Sequence, residues 1–343
     1  MKKKLLGLLL SAAMIGSMAF TAVAAETELD LPDASGDPAV TLVFAEVNPL
    51  DTIIGQFDSK FAEEVEKLSG GSIKIDMQAS GVLGAEGDFL EDMTSGFGSI
   101  DMARISVSTL TTYNTPKAAL LALPFAFKDH THFWNFANSE AAQECLAEAE
   151  ELGIGVRGIC YGEEGFRHMF FNKEVTDLAG FQDLKIRVST DPTMVAMINA
   201  FGANATVVAY GELYQSLDSG VVDGAENPLN NYKLNSFYQV APWLVMTGHQ
   251  LGVSELIITD PAWDKLTDAQ RECIFAAAKI AQDFDHQIVE EGEAASLEEL
   301  KELGVTITEV DDKTPWTDAV ADLIAEKTAD NAELWQAIQD CAE

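Results

Sequence analysis

Apolar runs of strand length alternate with segments of helical periodicity in the first third of the chain. Residues 40–45 are almost continuously apolar, as a buried strand would be. Between 51 and 69 the apolar residues fall on one helical stripe, which a pair of glycines ends. The elements predicted here are strands over 40–45, 72–77 and from Ile100, and helices over 51–69 and 86–95. This alternation predicts right-handed crossovers and a largely parallel sheet.

The alternation continues through the middle of the chain and then gives way to a long helical stretch. The further predicted elements are strands over 153–161, 167–172, 184–188, 206–208, 256–258 and 305–308, and helices over 193–200, 211–219 and 315–341. From Pro261 to Leu303 the helical pattern is nearly uninterrupted, and at ~1.5 Å per residue such a helix would extend on the order of 60 Å. Because this exceeds the width of one small domain, the helix must break or lie across two domains.

The first residues have the three parts of a secretory signal. Lys2, Lys3 and Lys4 precede an apolar run over 5–20, and Ala22-Val23-Ala24 is a cleavage site of the Ala-x-Ala type. A membrane anchor is the alternative, but the apolar run is short and has no basic flank after it. We therefore predict a signal peptide over 1–24 and an extracytoplasmic mature protein. Residues 25–38 are acidic, small and proline-bearing, which predicts a flexible lead-in.

The charge balance excludes some classes of partner. The chain has 56 acidic and 21 basic residues and a net charge of -35, and cleavage after Ala24 would remove three lysines and give -38. A nucleic-acid-binding protein needs a basic surface, so no nucleic acid partner is expected. The four cysteines and five histidines are scattered, which predicts mostly buried free thiols and neither a metal site nor a cofactor.

Two of the five arginines stand where a binding site would need them. Arg187 closes the predicted strand over 184–188, and Arg167 begins another strand. A guanidinium offers two parallel donors to a carboxylate and so fixes its orientation. An ordinary salt bridge to one of the many acids is the alternative for either arginine. Asn227 lies forty residues after Arg187, in a segment that reads as a turn before Pro228.

A series of short motifs resembles the DctP-like solute-binding proteins of tripartite ATP-independent periplasmic (TRAP) transporters. The resemblance extends from about Val40 to the last helix, and its order makes it specific although each motif alone is weak. The motifs are SGGSI at 69–73, GVLG at 81–84, GSIDM at 98–102, LPFAF at 123–127, GFR at 165–167, LKIRV at 184–188, GELYQSL at 211–217 and GVVDGAENP at 220–228.

This resemblance implies an α/β fold of two lobes, the periplasmic-binding-protein or Venus-flytrap fold, with mixed, mostly parallel sheets and a long helix spanning both lobes. It places lobe I at 39–164 plus 253–292, and lobe II at 165–252 plus 293–343. It also implies an uptake receptor that captures a small organic acid and delivers it to a small and a large integral-membrane subunit. A receptor that serves a sensor system instead is the alternative. We expect a monomer.

The resemblance assigns roles to nine residues. Arg187 corresponds to the arginine that binds the substrate carboxylate in relatives, and Arg167 and Asn227 correspond to residues that assist it. Tyr210 corresponds to an aromatic residue that often packs against the ligand in relatives, and Thr190 lies just past the strand that carries Arg187. Val47, Asn48, Glu86 and Ser106 correspond to residues that contact the distal part of the ligand.

Structural roles remain open for several of these residues. Tyr210 could belong to the core, Glu86 could be a first-turn helix acid favoured by the helix dipole, and Asn227 could cap its turn. Arg104 is a further candidate for ligand contact or for an internal ion pair. A structural hydrogen bond is expected for His249, and packing within the lobes for the five tryptophans.

No sequence motif indicates an enzyme. The chain has no Gly-x-Ser-x-Gly elbow, no phosphate-binding loop and no HExxH pair. Since the distal positions are Glu86 and Ser106, and no third cation is evident, we expect a hydroxylated monocarboxylate such as a sugar acid rather than a C4-dicarboxylate.

Overall fold

The computed structural model describes residues 31–342, so the expected signal peptide lies outside the described residues. The strands of this part are β1 (Val40–Ala45), β2 (Ile73–Gln78), β3 (Met102–Ser106), β4 (Val156–Phe171), β5 (Lys185–Val188), β6 (Asn204–Val207), β7 (Gly224–Pro228), β8 (Trp243–Thr259) and β9 (Thr306–Glu309). Its helices are α1 (Ile53–Leu68), α2 (Glu86–Thr94), α3 (Val107–Leu110), α4 (Pro116–Leu121), α5 (His130–Ala137), α6 (Glu140–Leu146), α7 (Glu148–Glu151), α8 (Pro192–Ala200), α9 (Leu213–Asp218), α10 (Leu229–Leu234), α11 (Asp260–Asp264), α12 (Asp268–Glu302), α13 (Thr314–Ala319), α14 (Ala321–Thr328) and α15 (Ala332–Asp340).

All of these strands join one mixed sheet in the order β2-β1-β3-β8-β4-β7-β5-β6, with β9 paired to β8. The pairs β1–β2, β1–β3, β5–β6, β5–β7 and β8–β9 are parallel. The other pairs, β3–β8, β4–β8 and β4–β7, are antiparallel, and each contains at least one of the two long strands, β4 and β8. The α/β class and the mostly parallel sheet predicted from the sequence are therefore confirmed.

Strands β4 and β8, of 16 and 17 residues, connect the two halves of the sheet. The sequence predicted two strands over 153–161 and 167–172, but β4 runs through both. Its pairing with β8 shifts between Glu163 and Phe166, where Gly165 has a φ of +89°. The gap between the two predicted strands is thus a β-bulge, which bends a strand without ending it. This gives the two-lobed architecture, in which both lobes share the long strands.

The predicted long helix exists but begins later than expected. Thr267 separates α11 from α12, and its hydroxyl accepts from the Gln270 backbone while the Gln270 side chain accepts from the Thr267 backbone. The 35 residues of α12 extend about 52 Å. Ile274 packs with Phe57 in the core of the first half, and Leu300 packs in a core of the second half. The expectation that this helix lies across both lobes is confirmed.

Two element predictions are wrong. The segment over 315–341 is not one helix, because the chain breaks after Ala319 and again at 329–331. These breaks let Trp316 and Val320 pack in one core while Leu334 and Ile338 pack in another. The turn expected around Asn227 is instead the buried strand β7.

The described end of the expected flexible lead-in is fixed in place. Ala34 is buried, Thr267 donates to the Asp37 carboxylate, and the Gln270 amide donates to the Pro38 carbonyl at 3.0 Å. Residues 34–38 therefore form a turn against the start of α12 rather than a flexible segment.

The cysteines agree with the expectation of free thiols, of which Cys145, Cys160 and Cys273 are buried and Cys341 is half-buried. Trp134, Trp263 and Trp316 are buried in packing, as expected. Within residues 31–342 no helix combines the length and the apolar character that crossing a membrane requires.

Candidate functional site

A cavity of about 320 Å³ lies between the two halves of the sheet. All nine residues predicted from the sequence line it: Val47, Asn48, Glu86 and Ser106 from the first half, and Arg167, Arg187, Thr190, Tyr210 and Asn227 from the second. Strands β1 and β3 run opposite to β5 and β6, so the carboxyl ends of the two sets point towards each other near the middle of β4 and β8. The residues at or after these ends therefore converge between the two halves.

Arg187 is a buried cation that forms no ion pair with an acid among the described residues. The residue is 5% exposed. Nε donates to the Val208 carbonyl at 2.9 Å, and the guanidinium carbon lies 5.7 Å from the centre of the Tyr210 ring. No acid of the described residues comes within 4.0 Å of it. Burial lowers the pKa of Arg187, yet an arginine stays charged in proteins. The ordinary salt bridge considered from the sequence is not formed.

Asn227 brings a second unused donor to the same wall. The residue is buried within β7, and its amide nitrogen has no hydrogen-bond partner among the described residues. A buried polar group without a partner costs free energy unless a ligand or water satisfies it. Asn227 does not cap a turn, so the structural alternative considered for it is wrong.

Tyr210 belongs to both the core and the cavity. Its ring packs edge-on against Phe237, with the ring centres 5.9 Å apart. The hydroxyl accepts from the Asn235 amide at 3.1 Å, which leaves its own proton to donate. The ring also faces the Arg187 guanidinium, so Tyr210 both packs and helps to orient the cation.

Arg167, in contrast, is bound by a protein acid. Its Nε and a terminal nitrogen both donate to the Glu226 carboxylate, the latter at 3.0 Å. Burial alone would raise the pKa of Glu226, but Arg167 and His249 outweigh it and hold that pKa well below its ordinary value. The His249 Nε2 lies 3.8 Å from this carboxylate, and its Nδ1 is 2.8 Å from the Thr247 hydroxyl. The structural hydrogen bond expected for His249 is present.

The first half supplies acceptors that are already ordered by the protein. Glu86 accepts from the Ser106 backbone at 3.1 Å, from the Ser106 hydroxyl at 3.2 Å, and from the Thr109 hydroxyl at 2.6 Å. Asn48 donates to Glu46 through its backbone and its amide nitrogen, which leaves its Oδ1 without a partner among the described residues. Glu86 is therefore more than a first-turn acid, because it ties α2 to the end of β3.

Arg104 does not line the cavity. It is fully buried and pairs with three acids, Glu46, Asp58 and Glu164, the latter two at 3.5 and 3.4 Å. Burial alone would lower the pKa of Arg104, but these acids raise it above its ordinary value. The internal ion pair considered from the sequence is thus the observed role. Through Glu46, this cluster also positions Asn48.

Several lining residues escaped the sequence analysis. Asn231 and Gln250 face the cavity, and each donates to a protein acceptor as well. Gln250 lies in a part of β8 that was not predicted as a strand, so its position could not be inferred. Val207 ends β6 and is an exposed apolar residue at the rim, which its strand pattern could have indicated. Thr190, which was predicted, lines the cavity but is exposed.

The family model described as "Bacterial extracellular solute-binding protein, family 7" (DctP) matches residues 44–331. The chain belongs to this family. A solute-binding protein of Chromohalobacter salexigens is 30% identical over 83% of this chain and 84% of its own length. The family prediction made from the sequence is therefore confirmed, and with it the function of a solute receptor of the TRAP type.

Two solved structures share the fold and carry acids. The TRAP periplasmic solute-binding protein of Pseudomonas putida F1, with bound D-glucuronate, has a TM-score of 0.82 and 30% identity, over 88% of this chain and 97% of that one. A counterpart from Bradyrhizobium sp. BTAi1, in complex with α/β-D-galacturonate, has a TM-score of 0.83 and 30% identity, over 88% and 100%. Both of these related receptors bind a solute that contains a carboxylate, which agrees with the organic acid expected from the sequence.

Proposed function

We propose that this receptor captures a hydroxylated monocarboxylate of the sugar-acid class, and that Arg187 and Asn227 hold its carboxylate. The observation that carries the proposal is the buried Arg187 guanidinium, which faces the cavity without an acid partner among the described residues. The terminal nitrogens of an arginine match the two oxygens of a carboxylate. The unused amide of Asn227 and the hydroxyl proton of Tyr210 are two further donors on the same wall.

The charges of the cavity favour one carboxylate rather than two. Its lining contains two basic residues, Arg167 and Arg187, and four acids, Glu86, Asp88, Glu164 and Glu226. Because Arg167 is already paired with Glu226, Arg187 is the one basic residue of this lining that remains to balance an anionic group. A second carboxylate would meet the acids of the opposite wall, and like charges at short range are costly in a site closed to water.

The opposite wall suits hydroxyl groups. Glu86, Asn48 and Ser106 present oxygen acceptors there, and a sugar hydroxyl can donate to one acceptor while it accepts from a neighbouring donor. The uronates bound by the two related receptors combine one carboxylate with several hydroxyls. The solute cavity of this chain offers partners for both parts of such a molecule, with Arg187 on one wall for the carboxylate and polar side chains on the other wall for the hydroxyls.

A ligand screen by thermal shift tests this proposal. D-glucuronate, D-galacturonate and D-gluconate should raise the unfolding midpoint more than succinate or malate, and glucose should have no effect because it has no carboxylate. A ligand at 100 times its Kd stabilises by about 2.7 kcal/mol. Stronger stabilisation by the C4-dicarboxylates would contradict the sugar-acid assignment. The bound acid should be recovered unchanged, as expected of a receptor that is not an enzyme.

We further propose that the mature protein begins at Ala25, acts as a monomer and delivers its solute to the two integral-membrane TRAP subunits. The three lysines at 2–4, the apolar run over 5–20 and the Ala-x-Ala motif support export. Mass spectrometry of the exported protein should give a chain that starts at Ala25. Membrane vesicles that contain both subunits should accumulate the solute only when the receptor is added; failure there, with binding intact, would favour a sensor role.

The lobe boundaries expected from the family are proposed to be the hinge of this protein. The first boundary, at 164/165, falls in the bulge of β4, and the second, at 252/253, falls at Gly252 of β8. The third, at 292/293, lies within α12 beside Glu293, whose carboxylate accepts from the Phe166 backbone at 2.6 Å. Crystal structures with and without solute should differ mainly in the backbone dihedral angles near these three boundaries.

A further inference from the structure

A second cavity, of about 380 Å³, adjoins the strands and the helix that connect the two lobes. Its walls come from β4, from the Met246–Gly248 part of β8, from α12, and from the segments before α5 and α13. Its lining shares no residue with the solute cavity. It is therefore a separate feature, and its walls are the elements that join the lobes.

This cavity concentrates cations that the protein leaves unpaired. In so acidic a chain, most basic side chains of the described residues lie within 4.0 Å of an acid. The exceptions between residues 31 and 342 are Lys74, Lys128, Lys185, Arg187 and Lys313. Arg187 faces the solute cavity, and Lys128 and Lys313 both line the second cavity.

The Lys313 ammonium group lies against the backbone of Gly248. Gly248 has a φ of +49°, and a Cβ placed there would stand 2.7 Å from the Lys313 Nζ. The Gly248 N–H donates to the His168 Nδ1 at 2.9 Å, which makes the His168 Nε2 the protonated nitrogen. His168 is 6% exposed, and within the described residues nothing accepts from that N–H. An ammonium group and a neutral N–H donor thus adjoin the same space.

The rest of the cavity sets the character of its ligand. Phe166, Leu229, Met246 and Leu297 contribute apolar surface. The Glu293 carboxylate already has two protein partners: the Nε2 of His130, at 2.9 Å, and the backbone N–H of Phe166. Glu290 is exposed and lies on the α12 side, where it would repel a second negative charge.

We propose that this cavity is a second binding site, for a small apolar monocarboxylate, with the carboxylate on Lys313 and His168 and the apolar body on the Phe166 side. Such a ligand differs from a sugar acid, because the site offers few acceptors for hydroxyl groups. The Lys128 ammonium adds positive charge to the site. A bound anion contacts the hinge elements themselves.

Fluorine NMR with 4-fluorobenzoate as the probe tests this site in the full mature protein. Wild type should bind the probe saturably, in the millimolar range. Lys313→Met should weaken binding by about tenfold or more, because one charge-assisted hydrogen bond is lost. Lys74→Met removes the same charge from an exposed, equally unpaired lysine outside both cavities, and it should leave the affinity unchanged.

Arg187→Met separates the two cavities. Binding of 4-fluorobenzoate should survive this substitution, whereas binding of D-glucuronate should not. The second site would be refuted by an absence of saturable binding to wild type, by equal affinity in Lys313→Met, by an equal loss in Lys74→Met, or by loss of the probe in Arg187→Met. Failure of the sugar-acid proposal would leave the probe experiment unaffected, since the two use different ligands and different residues.

Discussion

Arg187 is buried and Arg167 is half-buried in the same wall of the solute cavity, and the positions of the acids give them different roles. Glu226 precedes Asn227 in β7, and its carboxylate accepts two hydrogen bonds from the Arg167 guanidinium. Arg167 therefore already has its counter-charge within the protein. Within residues 31–342, Arg187 has as partners only a backbone carbonyl and an aromatic ring. The protein thus retains one desolvated positive charge that only a bound anion can balance, and a ligand's gain is large because water no longer competes.

Replacing Arg187 should therefore remove binding without harm to the fold. Arg187→Met should cost roughly 2–5 kcal/mol of binding free energy for the acid that the thermal-shift screen identifies. The free energy of unfolding of the empty protein should stay the same or rise, because a buried charge without a partner is removed. Arg187→Lys should also bind weakly, since one ammonium cannot reproduce the fork. Calorimetric titration and urea unfolding measure the two quantities.

Replacing Arg167 should have the reverse pattern. Arg167→Met would leave Glu226 buried without its counter-charge, and breaking a buried pair in this way costs about 3–5 kcal/mol of stability. The double variant Arg167→Met with Glu226→Gln should recover much of this loss, because the uncompensated charge is gone. If urea unfolding gave Arg167→Met the stability of wild type, the structural role of this pair would be wrong.

At the scale of elements, the bulge of β4 contains a glycine whose backbone and surroundings leave little room for a side chain. Gly165 has a φ of +89° in the bulge of β4, and a Cβ there would lie 2.3 Å from the Glu293 carboxylate. That carboxylate also accepts from the Phe166 backbone and contacts His130, so α12, β4 and α5 meet at this point.

Gly165→Ala should destabilise the protein by about 1–3 kcal/mol, because it combines a strained backbone with displacement of Glu293. Gly36→Ala is a matched control, since no heavy atom lies within 4 Å of a Cβ there and its φ is not positive. Urea unfolding should separate the two variants clearly. Equal stability would mean that the bulge adapts to a side chain.

The bounds of the elements also show which strands and helices sequence periodicity can predict. Strand β1 was predicted at its observed bounds because its apolar run is continuous and local. Strand β8 was predicted only over its last residues, because its course through His249 and Gln250 depends on pairing with β4. The final helix was overextended, since periodicity does not show that Trp316 and Leu334 belong to different cores.

The same limit applied to the site. The family motifs correctly predicted nine residues of the solute cavity. The spacing of those motifs could not show that Arg167, and not Arg187, is paired with a protein acid. Glu226 stands next to Asn227 in the sequence, yet its partner is fixed only by the register of β7 against β4, in which Met169 faces Glu226. The second cavity was not predicted from the sequence, because its residues come together only through tertiary packing.

At the scale of the molecule, the acidity of this chain extends into its interior. Glu255 and Asp285 are at most 1% exposed, and no basic residue lies within 4.0 Å of either in the part of the chain that the structure describes. Burial raises the pKa of each carboxyl well above its ordinary value, and nearby acids add to the effect. One oxygen of each has no hydrogen-bond partner among the residues between 31 and 342. Burial therefore favours the protonated form of both carboxyls in the folded protein.

The stability of the protein should consequently fall as the pH rises. In the unfolded chain these carboxyls ionise at a pKa of about 4, whereas in the folded chain they hold their protons to a much higher pH. A group with a raised folded pKa contributes its full stability below the unfolded pKa and loses it as the pH rises towards the folded pKa. The free energy of unfolding in urea should thus be lower at pH 8 than at pH 5.

Asp285→Asn identifies the source of this slope. The amide cannot ionise in either state, so the variant should lose stability less steeply between pH 5 and 8 than wild type does, by about the contribution of one proton. Glu226 acts in the other direction: its lowered pKa stabilises above about pH 4, and this contribution is lost only in stronger acid. The combined contribution of Glu226, Glu255 and Asp285 should therefore be greatest in mild acid, where Glu226 is ionised and the buried acids cost little. A wild-type stability that increased steadily from pH 5 to pH 8 would show that the interior acids are ionised and solvated after all.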